Sequence, residues 1–231
     1  MNKKQPLSIA IDGPVSAGKS TLSAALARKL GILHLDTGAM YRAVGLYALD
    51  HGIDPGDEAA LKALIKDGSI AVAVEYADGL QKTLLGGQDV THRLREERVG
   101  AAASAVSRFA AVRRYLVAIQ QQLAREQSLL IDGRDIGTVV LPHASVKVFL
   151  TATPEARALR RYTQLITAGQ QTDYPTVLKE LIKRDAQDTG RAVDPLKPAD
   201  DAVMLDTSSL SFEESLAKLV ELVEAHDAAQ A

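Results

Sequence analysis

The sequence predicts an α/β fold, a three-layer arrangement with a mostly parallel sheet between helices, and three observations lead there. Short apolar runs alternate with stretches of helical spacing, the first run leads straight into Gly13-Pro14-Val15-Ser16-Ala17-Gly18-Lys19-Ser20-Thr21, and Gly13, Asp36 and Asp132 each lie just after such a run. The glycine-containing segment has the spacing G-x-x-x-x-G-K-[ST] between a strand and a helix, the setting that a phosphate-binding loop requires. Its two glycines let the backbone curl so that successive amides point into one concavity, where the following helix adds its positive dipole end. Lys19 is spaced to reach the β- and γ-phosphates of a nucleotide, and the Ser20 hydroxyl to ligand the Mg²⁺ that such nucleotides carry.

Each element follows from local pattern. Leu7 to Ile11 reads as a buried parallel strand, and Lys19 to Leu30 as a helix ending at Gly31. Ile32 to Leu35 is a second strand, after which Asp36-Thr37-Gly38-Ala39 turns into a helix through Met40, Tyr41 and Arg42, with Asp36 free to serve as no more than its cap. Ile70 to Tyr76, Leu80 to Leu85 and Gln88 to Val90, separated by Ala77-Asp78-Gly79 and Gly86-Gly87, break the alternation and read as an antiparallel meander. Such an insert cannot join a parallel core through short connections, so it is expected to stand off as a flap or subdomain over a site. Helical spacing resumes from Arg93 to about Gln127. Leu129 to Ile131 is a strand ending in Asp132-Gly133-Arg134-Asp135, and Val146 to Leu150 is another. Thr153 caps and Pro154 starts the next helix, and Tyr174-Pro175 introduces a further one to about Asp188. Val203 to Leu205 supplies the last strand, and Ser211-Phe212-Glu213-Glu214 is a capping box for the closing helix, whose Ala225 to Ala231 tail is expected to fray. One crevice beyond the carboxyl ends of the strands can then gather Gly13, Asp36 and Asp132.

Composition narrows the class. At 231 residues the chain is long for one ordinary domain and short for two, which favours one core with inserted substructures. A net charge of -2 leaves no overall nucleic-acid footprint. Yet 13 of the 15 arginines lie between Arg93 and Arg191 with only three lysines among them, and arginine is the better fork for phosphate. A solvated helix face is the alternative for any single one. With no cysteine there is no thiol nucleophile, disulfide or thiolate metal site, and His34, His51, His92, His143 and His226 show no paired ligand spacing. Lys3 and Lys4 precede an apolar run that Asp12 ends before signal-peptide length, and nothing approaches a membrane-spanning run, so a cytoplasmic protein is expected. The lack of a large apolar helix stripe favours a monomer.

A phosphate loop alone does not separate kinases, GTPases and ATP-driven machines. The only asparagine, Asn2, sits in Asn2-Lys3-Lys4-Gln5, which lacks the Asp of the guanine-reading N-K-x-D signature. Motors are usually larger, since they couple hydrolysis to the motion of other domains. A small chain with an insert and many arginines points instead to phosphoryl transfer, where positioning, charge and exclusion of water do the chemistry.

Four ordered motifs make the resemblance specific: I-D-G-P-x-x-A-G-K-S-T from Ile11, L-D-T-G-A-M-Y-R ending at Arg42, D-G-R-D-I-G-T-V-V from Asp132, and R-A-V-D-P-L from Arg191. In that order, along nearly the whole chain, they resemble the bacterial cytidylate kinases among the P-loop nucleoside monophosphate kinases. L-L-G-G-Q-D-V-T-H-R-L-R in the meander is similar to that family's extended monophosphate-binding region. Val15-Ser16 stand where the commoner loop reads Ser-Gly or similar, at positions that lend backbone amides.

The resemblance implies that the γ-phosphoryl group of ATP moves to CMP or dCMP, with Mg²⁺, giving ADP and the diphosphate. It implies one kinase domain over 1–231, with a core of 6–36, 105–156 and 172–231, an acceptor-binding insertion at 37–104 and a short lid at 157–171. Gly13 through Thr21 and Arg157 are implied on ATP, and Lys19, Arg134, Arg184 and Arg161 around the transferring group; Arg160 belongs to the same lid. Thr37, Tyr41, Arg42, Arg134 and Arg191 are implied on the acceptor, Asp188 on its sugar hydroxyls, and Ser104, Arg113 and Asp135 on its base. Asp132 ends its strand as an acid acting on Mg²⁺, through water or by ordering the loop. Chemistry supports the base assignment: cytosine carries an amino donor where uracil carries an oxygen acceptor, so a carboxylate such as Asp135 prefers cytosine. The residues alone leave open a packing role for Tyr41, a capping or ion-pair role for Asp135, a small kinase with another acceptor, and a nucleotide-binding regulator without turnover.

Overall fold

Near-continuous apolar runs become strands, buried or half-buried except at Val203 and Met204 of the last one, and helical stretches alternate with them. In the computed structural model, which describes residues 6–230, the elements in chain order are β1 (Ser8–Asp12), α1 (Lys19–Leu30), β2 (Leu33–Asp36), α2 (Thr37–Asp50), α3 (Glu58–Lys66), β3 (Val72–Ala77), β4 (Leu80–Leu85) and β5 (Gln88–Asp89). There follow α4 (Glu97–Val106), α5 (Ala110–Glu126), β6 (Leu129–Gly133), β7 (Val146–Thr151), α6 (Pro154–Thr167), α7 (Tyr174–Thr189), β8 (Val203–Asp206) and α8 (Phe212–Gln230). Five strands form one sheet in the order β2-β6-β1-β7-β8. β7 runs parallel to both β1 and β8, with Ile11 opposite Val148 and Leu150 opposite Leu205. This is the parallel α/β class that the sequence predicts.

The chain divides into two compact units, one of Leu33–Leu129 and one formed by Leu7–Ile32 with the residues from Leu130 onward. In the second, α1 and α8 pack together. Ile9, Ile11, Leu22, Leu26, Val148 and Leu150 make the core that they cover. α6 and α7 pair through Ala158, Val177 and Leu181, beside an edge-on contact of Tyr162 with Tyr174.

In the other unit α2 packs on α4 and α3 on α5. The meander forms as β3-β4-β5, antiparallel, with Val72 opposite Leu85 and Leu84 opposite Asp89. It is fastened within this unit: the Gln81 amide accepts from the Asp36 backbone at 2.7 Å and donates back to the Asp36 carbonyl at 3.3 Å, and the Tyr76 hydroxyl donates to the His34 carbonyl at 3.1 Å. A side-chain amide thus continues the ladder at the end of β2 as another strand would.

The single helical stretch expected from Arg93 breaks into a 3₁₀ turn at Arg93–Arg95, then α4 and α5. The break falls at Ser107, whose hydroxyl donates to the Ser104 carbonyl at 3.0 Å and so competes with the helical ladder, while Phe109 is extended. The chain also forms α3, capped by Asp57, where sequence pattern assigned nothing, and a π-helical turn at Ile136–Val140. α8 stays helical to Gln230, through most of the tail expected to fray; Ala231, like Asn2, Lys3 and Lys4, lies outside the described residues.

Gly45 marks where α2 and α4 come closest: a Cβ there would lie 2.9 Å from the Ala103 nitrogen and 3.0 Å from the Ala102 Cβ. Gly45→Ala should therefore force the helices apart and destabilise by about 1–3 kcal/mol, read as a lower urea midpoint at unchanged slope. An unchanged midpoint would refute this close approach.

Candidate functional site

The first cluster is built where β1 ends. Gly13 has φ of 150°, and a Cβ on it would sit 2.0 Å from the Leu150 carbonyl oxygen, so only glycine lets the chain leave the sheet here. Ser16 and Gly18, with φ of 58° and 88°, are left-handed and curl the loop into α1. Side chains cap α2, α3, α6 and α7 through Asp36, Asp57, Thr153 and Asp173. α1 has neither a side-chain cap nor an acidic residue in its first turn, which leaves its positive end to an anion. Lys19 is 6% exposed and donates to the Pro14 carbonyl at 2.7 Å. Loss of water by burial, and then the Arg134 guanidinium, hold its ammonium well below the usual lysine range. The exposed Ser20 hydroxyl donates to the buried Asp132 carboxylate at 2.8 Å. This pair of hard oxygen donors fits Mg²⁺.

Two carboxylates three residues apart on α7 organise the surrounding arginines. Asp185 pairs with Arg157 at 2.7 Å and accepts from the Val15 amide at 3.3 Å, while Arg157 donates to the Val15 carbonyl at 2.9 Å. One loop residue, Val15, is thereby held at both its backbone polar atoms, through the two peptides that flank it. Arg157 is buried for this reason, whereas Arg161, one turn on, is exposed and Arg160 donates to the Thr207 hydroxyl at 3.2 Å. Asp188, also buried, accepts from Arg134 at 2.7 Å on one oxygen and from Arg191 on the other. The residue implied on sugar hydroxyls thus has each oxygen engaged by an arginine implied on the acceptor. Arg184 is half-buried on the same helix.

Asp12, the last residue of β1, is 3% exposed and accepts from the Ile136 and Gly137 amides, both at 2.7 Å. Its carboxyl is pushed up to about 6, chiefly by burial and secondarily by the Asp135 carboxylate, against the pull of those amides and of Lys19. Asp135 itself is buried, and its carbonyl accepts from Val139 at 2.9 Å to start the π-helical turn.

The other unit carries the second cluster. Asp36 caps α2 through the Ala39 amide at 3.3 Å, and one turn later come Tyr41 and Arg42, the latter donating to the Leu94 carbonyl at 3.1 Å. Arg113 is 2% exposed, with its guanidinium 5.7 Å from the centre of the Tyr41 ring, within cation–π range. It also donates to the Ser107 carbonyl at 3.3 Å, and Ser107 in turn donates to Ser104. Tyr41, Ser104 and Arg113 are so joined within one unit, and Thr37 is buried on the helix that carries Tyr41.

Sequence reasoning passed over three residues that the structure puts to use. Asp185 and Ser107 sit in helical stretches where one more polar residue attracts no notice. Asp12 directly precedes the loop glycine, and a carboxylate closing an apolar run was a signal that could have been followed.

A sequence model of one family, described as cytidylate kinase, matches residues 9–225. Proteins named cytidylate kinase from Caldicellulosiruptor bescii and Mycobacterium leprae are each 48% identical to this chain over 216 residues, covering 94% and 93% of it and 95% and 94% of their own lengths. Among solved structures, an uncharacterized protein from Eubacterium ventriosum is similar in fold alone, with a TM-score of 0.52 at 10% identity over 94% of this chain and 98% of that one.

The Asp12 carboxyl binds its proton more tightly in the folded chain than in the unfolded one, so this group makes stability fall as pH rises from the ordinary value of 3.8 to about 6. The cost of its ionisation is then about 3 kcal/mol at neutral pH. Asp12→Asn should remove that component, and urea unfolding at pH 4 and pH 7 should show the variant gaining on the parent by roughly this amount at the higher pH. A pH-independent difference between the two proteins would contradict it.

Proposed function

The chain belongs to the cytidylate kinase family and carries out the transfer of the γ-phosphoryl group of ATP to CMP or dCMP; we propose that the residues described above perform it in the following way. The observation that carries the assignment is the uncapped start of α1 beneath a glycine-curled loop, with Lys19 buried beside it and Ser20 bonded to Asp132. The loop amides of Gly13 through Thr21 cradle the phosphates of ATP, and Lys19 reaches the β- and γ-groups. Ser20 would hold Mg²⁺, with Asp132 acting directly or through water, and the bound metal would neutralise charge on the phosphates.

An oxygen of the CMP phosphate attacks the γ-phosphorus as the bond to the β–γ bridging oxygen breaks, so that ADP leaves and CDP forms. Charge spreads over the equatorial oxygens of the moving group, where Lys19, Arg134, Arg184 and Arg161 supply positive counter-charge. Thr37, Tyr41, Arg42 and Arg191 bind the acceptor, with Arg191 held in direction by Asp188. Asp188 either meets the sugar hydroxyls with its remaining lone pairs or acts only through its two arginines. The insertion at 37–104 supplies acceptor-side groups, and the segment 157–171 closes as a lid that keeps water from the γ-phosphate, rooted at the clamped Arg157. Asp135, with Ser104 and Arg113, reads cytosine by accepting from its amino group and repelling the uracil oxygen. Among the described residues no helix is long and apolar enough to cross a membrane, and a cytoplasmic monomer acting on small nucleotides completes the proposal.

ADP release from ATP and Mg²⁺ should be fast with CMP or dCMP and slow with UMP or AMP; equal or faster turnover of AMP or UMP would defeat the assignment. Lys19→Ala should abolish transfer while circular dichroism and the unfolding midpoint stay near those of the parent, and retained activity would refute the role of the loop. Asp135→Ala should lose about 1–3 kcal/mol of discrimination between CMP and UMP, the worth of one good base contact. An unchanged preference would move base reading to other residues.

A further inference from the structure

We infer that Asp12 is a positioning residue for acceptor choice: by holding the Ile136 and Gly137 amides, one on each carboxylate oxygen, it sets the turn that presents Arg134 and Asp135, and with it the preference for cytosine over uracil. The inference rests on the assignment of Asp135 to base reading. Its geometry is independent of that assignment. Asp12 is buried at the end of β1, and both amides approach to 2.7 Å on separate oxygens. One hydrogen bond would leave the turn free to pivot; two adjacent ones fix its rotation as well as its distance. The Asp135–Ile136 peptide is thereby held at both its polar atoms, its amide by Asp12 and its carbonyl by the Val139 and Val140 amides at 2.9 and 3.3 Å.

The same carboxylate belongs to the residue before Gly13, so the phosphate loop and the Arg134-Asp135 turn share one anchor on the sheet. The charged groups acting on Asp12 are the Asp135 carboxylate and the Lys19 ammonium. The Lys147 Cδ lies beside Gly137, and its ammonium is engaged by Asp201 at 2.8 Å and the Pro142 carbonyl at 2.5 Å. An ionised carboxylate that costs stability where it is buried, and that is spent wholly on one turn, fits a role in geometry.

The test is steady-state kinetics with CMP and UMP as acceptors, ATP and Mg²⁺ at pH 7.5. Asp12→Asn keeps the shape of the side chain but turns one acceptor into an N–H donor facing an amide donor. The CMP-to-UMP ratio of kcat/KM should fall on the order of tenfold, mainly through KM for CMP, while KM for ATP changes less than about twofold. Gly137→Ala is a gentler second probe, because its Cβ would lie 3.3 Å from the Asp12 carboxylate and 3.3 Å from the Lys147 Cδ, displacing both by a few tenths of an ångström. It should lower the same ratio by about threefold, and it decides the matter alone if Asp12→Asn does not fold. An unchanged ratio in a folded variant, or kcat and both KM values worsening together, would overturn the inference. Asp135→Ala separates the two ideas: if it loses the preference while Asp12→Asn keeps it, only the role of Asp12 fails, and if it keeps the preference the base-reading assignment fails.

Discussion

Between Gly13 and the Leu150 carbonyl there is no room for a side chain, and the rest of the phosphate-binding unit is arranged around that contact. β1 and β7 are adjacent parallel strands, so when β1 stops, the chain must pass directly over the neighbouring backbone to begin its curl. Glycine at this point allows the curl, the curl aims the following amides, and α1 then begins without a cap of its own. Shifted by one residue, the loop would keep its composition and lose its concavity. The Arg157–Asp185 pair finishes the work from outside by holding the backbone amide and the backbone carbonyl of Val15.

A second constraint is electrical. Asp12, Lys19, Asp132, Asp188, Arg134 and Arg157 are partly or wholly buried within one unit, and each meets an opposite charge, an amide or a hydroxyl. Burial works against the ionised form of both Asp12 and Lys19, raising the carboxyl and lowering the ammonium. Of the two, the Lys19 ammonium, disfavoured by loss of water, is the group that would gain from an arriving polyanion. In the other unit Arg113 is buried against the face of Tyr41 and donates to the Ser107 carbonyl.

Much of this was legible in the chain. The limits of α1, the Asp36 cap, the three-stranded meander and the capping box, in which Ser211 and Glu214 exchange both expected hydrogen bonds, all follow from residues within a few positions of one another. Two features that local pattern does not show depend on distant partners, and a third is local. The π-helical turn after Asp135 is held by a residue 124 positions away, and Val15 by one 142 positions away. Within the helical stretch after Arg93, the break at Ser107 is a local contest between a hydroxyl and the ladder that periodicity does not register.

By itself the sequence determined the alternation of strands and helices, the phosphate loop and the chemistry such a loop serves, because hydrophobic period, capping and glycine placement act over one or two turns of chain. Only the tertiary structure decided which arginines are buried and against what, that Asp188 joins Arg134 to Arg191, and that the carboxylate before the loop reaches across to the turn bearing Asp135. Those choices depend on which carboxylate and which amide or guanidinium the packed sheet brings to within 3 Å of each other, and no spacing along the chain encodes that distance.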